Sequence, residues 1–314
     1  MKNNLITGID CGATKIMVQT SKYDEKSNKI VPIMNFKECF YSEHPKWNND
    51  FKPISIDIQK SEHINGNISI TKEEKLQGDV IVDMIQKVTS SISNKKIGLC
   101  FPGIKNENGI LVMANGPRIP DLKNRIFDIE HIYDDSECCI LGEWKSSIGQ
   151  IQDEKNCIYI GGGTGIADGV ILDGEILDFN DSSLDLKRSW EINTSNERTV
   201  ESCLSPGGIL KYYNKRNKTT IKTLSELSKK NDFTKVMSIA SDAFLKLIDT
   251  RIKYFFMKNH TIDKIIIGQR LGHFLKNSDR NLMRYFIKQT SIPIILSYNR
   301  TIASLGIAWK LLCS

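Results

Sequence analysis

Two short stretches place glycine and threonine at a bend between apolar runs: "DCGATK" at 10–15 and "GGGTGI" at 161–166. Glycine is entropically costly inside strand-like sequence, so its use there needs a reason. It can make a hairpin turn, or it can let backbone N–H groups converge on an anion, with a threonine hydroxyl as a further donor. Gly12, Thr14 and Lys15 in the first stretch, and Gly163, Thr164 and Gly165 in the second, are therefore candidate phosphate contacts. Asp10, at the tip of the first apolar run, is placed to hold hydrated Mg2+, which keeps several of its waters. Neither stretch is a Walker loop or a G-x-G-x-x-G fingerprint, which excludes the P-loop and Rossmann readings. A hairpin accounts for either alone; two in one chain, spaced as two lobes, favour a polyphosphate held by facing clips.

Asp134 and Asp135 close the strand-like "IEHIY" and open the helical "SECCILGEWKSSIG". A carboxylate there faces the positive end of the helix dipole, and helix capping alone explains it equally well. Asn115, in "MANGPRIPDL", offers an amide that both donates and accepts, or a turn residue before Gly-Pro.

The elements that must position these groups are legible in outline. Alternation and β-branched content predict strands over "LITGID", "KIMVQT", "KIVPIMNF" and "ISIDIQ". "YSEHPKWNNDF" reads as a polar hairpin loop, and "TKEE" as a capping box opening a helix over 72–92. "KKIGLCFPG" returns as a buried strand, making a crossover unit. The pattern repeats from Ile158, with a helix over "FTKVMSIASDAFLKLIDTRIKYFF", a parallel-type strand "KIIIG", and a helix over "TIASLGIAWKLL".

At 314 residues the chain can bury a large core and form two lobes. No window approaches the ~20 apolar residues of a membrane span, and "MKNNLITGID" has no signal-peptide h-region. The eight cysteines include no C-x-x-C pair, so reduced thiols and a cytoplasmic location are expected. The basic patch "KYYNKRNK" (211–218) reads as a solvated loop between helices, with no nucleic-acid motif around it. Neither nucleic acid nor membrane is expected as a partner; a homodimer is left open.

Together these motifs resemble the ROK family of sugar kinases. "GIDCGATKI" is similar to the family's first phosphate motif and "GGGTGIADGVILDGEIL" to its second; "IGLCFPGIKNENGILVMAN" resembles the stretch that ends on a sugar-contacting Asn. "DDSECCILGE" resembles the segment with the catalytic Asp, "VESCLSPGGI" the segment beyond the zinc site, and "KIIIG" the start of the adenosine motif. The resemblance implies a two-lobed α/β fold, actin/hexokinase-like (ribonuclease H-like), with the active site in the cleft. Its expected division is 1–122, 123–300 carrying the catalytic Asp, and a helix at 301–314 packing back on the first lobe. It implies ATP and Mg2+, a hexose or related sugar or polyol as substrate, and Asp135 as the base that takes the hydroxyl proton. Gly268 would join the nucleotide contacts, and Asn115, Asp134, Glu191 and Glu201 would line the sugar.

The sequence also departs from the pattern. Thr194 stands at the family's zinc-ligating His position and only Cys203 lies nearby, so no structural zinc site is expected. Asp134 replaces an Asn, Gln269 stands where a second Gly is usual, and the segment from Asn115 to Asp135 lacks a helix. A non-catalytic sugar- or nucleotide-binding regulator is the alternative reading.

Overall fold

The computed structural model describes residues 5–93, 96–126, 129, 131–194, 198–277 and 290–314. They pack into two compact units, one of residues 1–149 with 301–314, the other of 150–300. The division falls after Gly149 and not at the expected 122/123, because the segment carrying Asp135 pairs and packs within the first unit.

The first unit is built on a five-stranded sheet in the order β3-β2-β1-β4-β7. Its strands are β1 (Leu5–Cys11), β2 (Lys15–Asp24), β3 (Lys29–Phe40), β4 (Lys96–Phe101) and β7 (Ile132–Asp134). β1, β2 and β3 form an antiparallel meander, while β4 and β7 run parallel to β1. β5 (Ile104–Lys105) and β6 (Ile110–Val112) make a separate hairpin. Helix α2 (Lys72–Ser90) provides the crossover, starting where Thr71 Oγ1 accepts the Glu74 N–H at 3.1 Å. The other half of the expected capping box is not formed. Glu74 instead turns inward to a buried Arg118, whose Nε and backbone N–H each donate to Glu74 Oε1 at 2.9 Å.

Three sequence expectations fail here. "ISIDIQ" lies in helix α1 (Ile56–Ile64), not a strand. The alternation misleads because the buried residue is Gln59, while Ile58 and Ile64 are exposed. The Gln59 amide donates to the Ile54 and Met113 carbonyls and accepts the Met113 N–H at 2.7 Å, so tertiary hydrogen bonds decide the element. "YSEHPKWNNDF" is no hairpin: a single 3-10 turn, Tyr41–Glu43, buries Tyr41 against Trp47. The segment after Asn115 does hold one helical turn, α3 (Leu122–Arg125).

Helix α10 (Ile302–Cys313) closes the first unit by very near approach. A Cβ on Gly306 would overlap the Cys138 carbonyl of helix α4 (Asp135–Lys145), and one on Gly142 would overlap the Ile302 carbonyl. Gly8 of β1 admits the Ser304 backbone in the same way, and Gly98 of β4 admits Ile307 and Leu311.

The second unit repeats the strand–turn–strand opening in a sheet of order β10-β9-β8-β11-β12. β8 (Cys157–Gly162) and β9 (Ile166–Leu172) are antiparallel, and β11 (Lys264–Gly268) lies parallel beside β8 as β4 lies beside β1. β10 (Glu175–Ile176) follows a tight turn in which Asp173 and Gly174 both have positive φ; β12 is Ile294–Leu296. α5 (Val200–Leu204), α6 (Pro206–Asn217), α7 (Leu224–Leu227), α8 (Phe233–Met257) and α9 (Gln269–Asn277) complete it. Of the predicted apolar stripe, α8 buries Val236, Ala240, Ala243, Phe244, Leu247 and Ile248, whereas Ile239 is half-buried and Ile252 is exposed. The basic patch 211–218 is not a loop: it forms the last turns of α6, with Tyr213 buried and Lys218 ending the helix at φ 51°.

Candidate active site

Sheet register gathers three carboxylates in the first unit. Asp10 on β1 pairs with Cys100 on β4, whose thiol donates to Asp10 Oδ1 at 3.5 Å. Cys100 in turn pairs with Tyr133 on β7; Asp134 ends that strand and Asp135 opens α4. Burial raises the Asp10 pKa to about 6, against the opposing thiol bond and Lys15. Burial raises Asp135 further, to about 7; Lys105 opposes it, while Asp134 and Asp10 add repulsion. The Ser136 N–H donates to Asp135 Oδ1 at 2.8 Å. Both Asp10 and Asp135 are half-buried. A carboxyl titrating near neutrality can take a proton from a bound hydroxyl and later release it.

Asp134 occupies the N-cap position of α4, yet its side chain makes no capping bond. Its Oδ1 accepts from the Lys105 ammonium, which also donates to the Gly103 carbonyl at 2.9 Å. Sequence reasoning missed Lys105. The available signal was the Pro-Gly turn before it, where Gly103 has φ 92° and only glycine escapes the Val112 carbonyl.

Of the other residues expected in this unit, Gly12 closes its turn by donating to the Lys15 carbonyl at 3.0 Å. The Thr14 carbonyl accepts the Tyr41 N–H at 3.1 Å. Lys15 is ion-paired to Glu38 on β3. Asn115 is exposed in the turn after β6, a turn held by Gln59 at Met113 and by Arg118.

In the second unit the bend 163–165 is closed by Gly163 N–H donating to the Gly165 carbonyl at 2.8 Å. No glycine of either candidate turn has positive φ, and a Cβ on Gly12 would meet nothing nearer than the Lys15 carbonyl at 3.7 Å, so neither backbone conformation nor packing demands glycine there. Gly207, at the start of α6, donates to the Gly163 carbonyl at 3.1 Å, and a Cβ on Gly207 would stand 2.5 Å from the Thr164 oxygen. Arg270, in the first turn of α9, donates to Thr164 Oγ1 at 3.3 Å. The starts of α6 and α9 thus both meet one threonine-glycine bend. Gln269 sits at φ 55°, the conformation in which the expected glycine would be unstrained. Gly268 and Gly161 are paired across β11 and β8, and the Tyr159 ring fills the space their missing Cβ atoms leave.

Glu201 accepts the Ile166 N–H at 3.0 Å through Oε2, and burial raises its pKa. Glu191 accepts the Arg188 N–H at 2.9 Å, folding its carboxylate onto its own loop. Thr194 Oγ1 donates to the Arg198 carbonyl at 2.8 Å, closing the loop where the resembling family carries zinc ligands; residues 195–197 lie outside the described residues. Among the described residues no cluster of three or more His, Cys, Asp or Glu side chains is arranged to bind a metal.

Known structures show the fold. The chain has the mixed α/β fold of ROK-family sugar kinases, and several of its structural neighbours are ROK-family proteins. A ROK-family protein from Streptococcus pneumoniae, solved with sucrose, superposes with a TM-score of 0.62 at 14% identity, over 98% of each chain. A ROK-family glucokinase from Streptomyces griseus, in complex with glucose and AMPPNP, gives 0.57 at 15% identity, over 99% of this chain and all of that one. A ROK-family transcriptional regulator, a homologue of the E. coli MLC protein, gives 0.60 at 13% identity, over 99% of this chain and 80% of its own. No family model and no curated protein sequence matches the chain.

Proposed function

We propose that the protein is an ATP-dependent kinase that phosphorylates a hydroxyl of a hexose or related polyol, with Asp135 as the general base. The carrying observation is Asp135 itself, half-buried at the opening of α4, beside Asp10, with burial holding its pKa near 7. A sugar hydroxyl is a poor nucleophile until such a group accepts its proton. In the first unit Asp135 is the proposed base and Asp134 and Asn115 are candidate sugar contacts. In the second unit Gly163, Thr164 and Gly165 are candidate phosphate contacts, at a bend met by the starts of two helices. Glu191, Glu201 and Gly268 are second-unit candidates for sugar and nucleotide. Asp10 fits Mg2+ held through water, and the ion would supply charge neutralisation on the transferring phosphoryl group.

A coupled ADP-release assay with ATP and Mg2+ against hexoses, amino sugars and cyclitols tests this reading. Turnover with at least one, abolished in Asp135→Asn, is the expected result. The alternative, a sugar-responsive regulator without turnover, is favoured by the regulator among the structural neighbours. Sugar-induced thermal stabilisation without ADP release from any substrate would establish it instead.

A further inference from the structure

We infer that Gln59 is a positioning residue of the candidate sugar site: with the buried Arg118–Glu74 pair it clamps the turn that carries Asn115, and so places the amide that meets the sugar. The inference rests on the kinase reading and on Asn115 as a sugar contact. Of residues 113–118, Asn115 alone is exposed; Met113, Gly116, Pro117 and Arg118 are buried. The turn is gripped at both ends.

The first grip is a side chain that pairs as a strand would. Gln59 of α1 is fully buried. Its Oε1 accepts the Met113 N–H at 2.7 Å, while its Nε2 donates to the Met113 carbonyl at 3.1 Å and to the Ile54 carbonyl at 2.7 Å. A buried amide with both hydrogens and its oxygen engaged holds one orientation, because rotation would strand donors and acceptors away from water. The second grip lies five residues on, where the Arg118 N–H donates to Glu74 Oε1 at 2.9 Å. The guanidinium meets the same carboxylate bidentately, Nε to Oε1 and Nη2 to Oε2, each at 2.9 Å. It also donates to the Ser69 carbonyl at 2.8 Å and to Glu62. Between the grips the Met113 side chain folds under the turn, where a Cβ on Gly116 would stand 2.6 Å from its Cε. Pro117 fixes its own φ. A plain solvated turn needs none of this. Satisfied buried polar networks specify one geometry, and the one residue they leave exposed carries an amide that can both donate to and accept from hydroxyls.

The test compares wild type, Gln59→Leu, Asn115→Ala and the double variant, using whichever of glucose, mannose, N-acetylmannosamine and myo-inositol the wild type turns over fastest. Gln59→Leu roughly preserves volume and removes both bonds to Met113. The sugar KM should rise about tenfold, as small misplacements do, with kcat and the ATP KM within about twofold of wild type. Asn115→Ala should raise the sugar KM as well, and adding Gln59→Leu should then raise it less than about twofold further, since the clamp has no amide left to place. An unchanged sugar KM in Gln59→Leu, or effects that multiply fully in the double variant, overturns the inference and leaves the kinase reading standing. If Gln59→Leu does not fold, Glu62→Ala, which removes one arm of the Arg118 grip from a half-buried position, replaces it. Its sugar KM should rise about threefold, and no rise overturns the inference. If the wild type turns over none of the four compounds, the kinase reading fails, and the same proteins are compared by isothermal titration with each compound. A Kd weakened about tenfold in Gln59→Leu then upholds the role of Gln59; equal Kd values, or no binding by the wild type, overturn it.

Discussion

Glu201 grips the foot of the glycine bend: its Oε2 accepts the Ile166 N–H at 3.0 Å, one residue beyond Gly165. Glu201→Gln retains an acceptor and should leave the ATP–Mg2+ thermal shift close to wild type. Glu201→Ala leaves that N–H without its partner, at a cost of about 1–3 kcal/mol, and should shrink the shift. Differential scanning fluorimetry across a nucleotide titration separates the two. Equal shifts in both variants would show that the carboxylate does not organise the bend.

For Asp135→Asn two opposite effects are expected. A carboxyl whose folded pKa of about 7 exceeds its unfolded value binds its proton more tightly when folded. Its stabilising contribution is therefore present at low pH and drains away as pH rises through about 7; Asp10 behaves likewise through about 6. Asp135→Asn should raise stability at pH 8 by about 1–3 kcal/mol, with no gain at pH 4, while kcat falls ~100- to 10,000-fold. Melting curves at both pH values check the first effect and steady-state turnover the second. A variant less stable than wild type at pH 8 would contradict the burial penalty on the ionised carboxylate.

Thr164→Val preserves shape but removes the hydroxyl that accepts from Arg270. If the bend holds phosphate, the ATP–Mg2+ stabilisation should diminish, because a weaker Kd lowers the mass-action gain. An undiminished shift would make 163–165 a plain hairpin.

Gly306→Ala places a methyl on the Cys138 carbonyl, backbone against backbone, where no rotamer can relieve it. The expected loss is about 2–4 kcal/mol, read as a lowered urea midpoint. A neutral result would mean that α10 and α4 can separate without cost.

Much of this was legible in the sequence because the signals are local. The "TKEE" start of α2, the apolar stripe of α8 and the duplicated bends depend on spacing alone. α1 was missed because Gln59 earns its burial from Met113, fifty-four residues away, and alternating isoleucines cannot report that. Lys105 was missed for the same reason: a lone lysine after a Pro-Gly turn carries no sign of Asp134 until β4 and β7 pair. Lys15 shows the converse, a residue in a suggestive motif whose ammonium the neighbouring strand has claimed.

The glycines that admit α10 also fix an order of events during synthesis. Gly8, Gly98 and Gly142 reserve space for backbone and side chains that arrive only with residues 301–314, after the whole of 150–300 has been translated. At ~5–20 residues per second that interval is roughly 8–30 s. Throughout it the nascent sheet of the first unit presents an uncovered groove to the ribosome's surroundings, an opportunity for holdase chaperones and for misassociation. A circular permutant that places 301–314 directly ahead of β1 would deliver the helix first and let the first unit complete itself before the second is made.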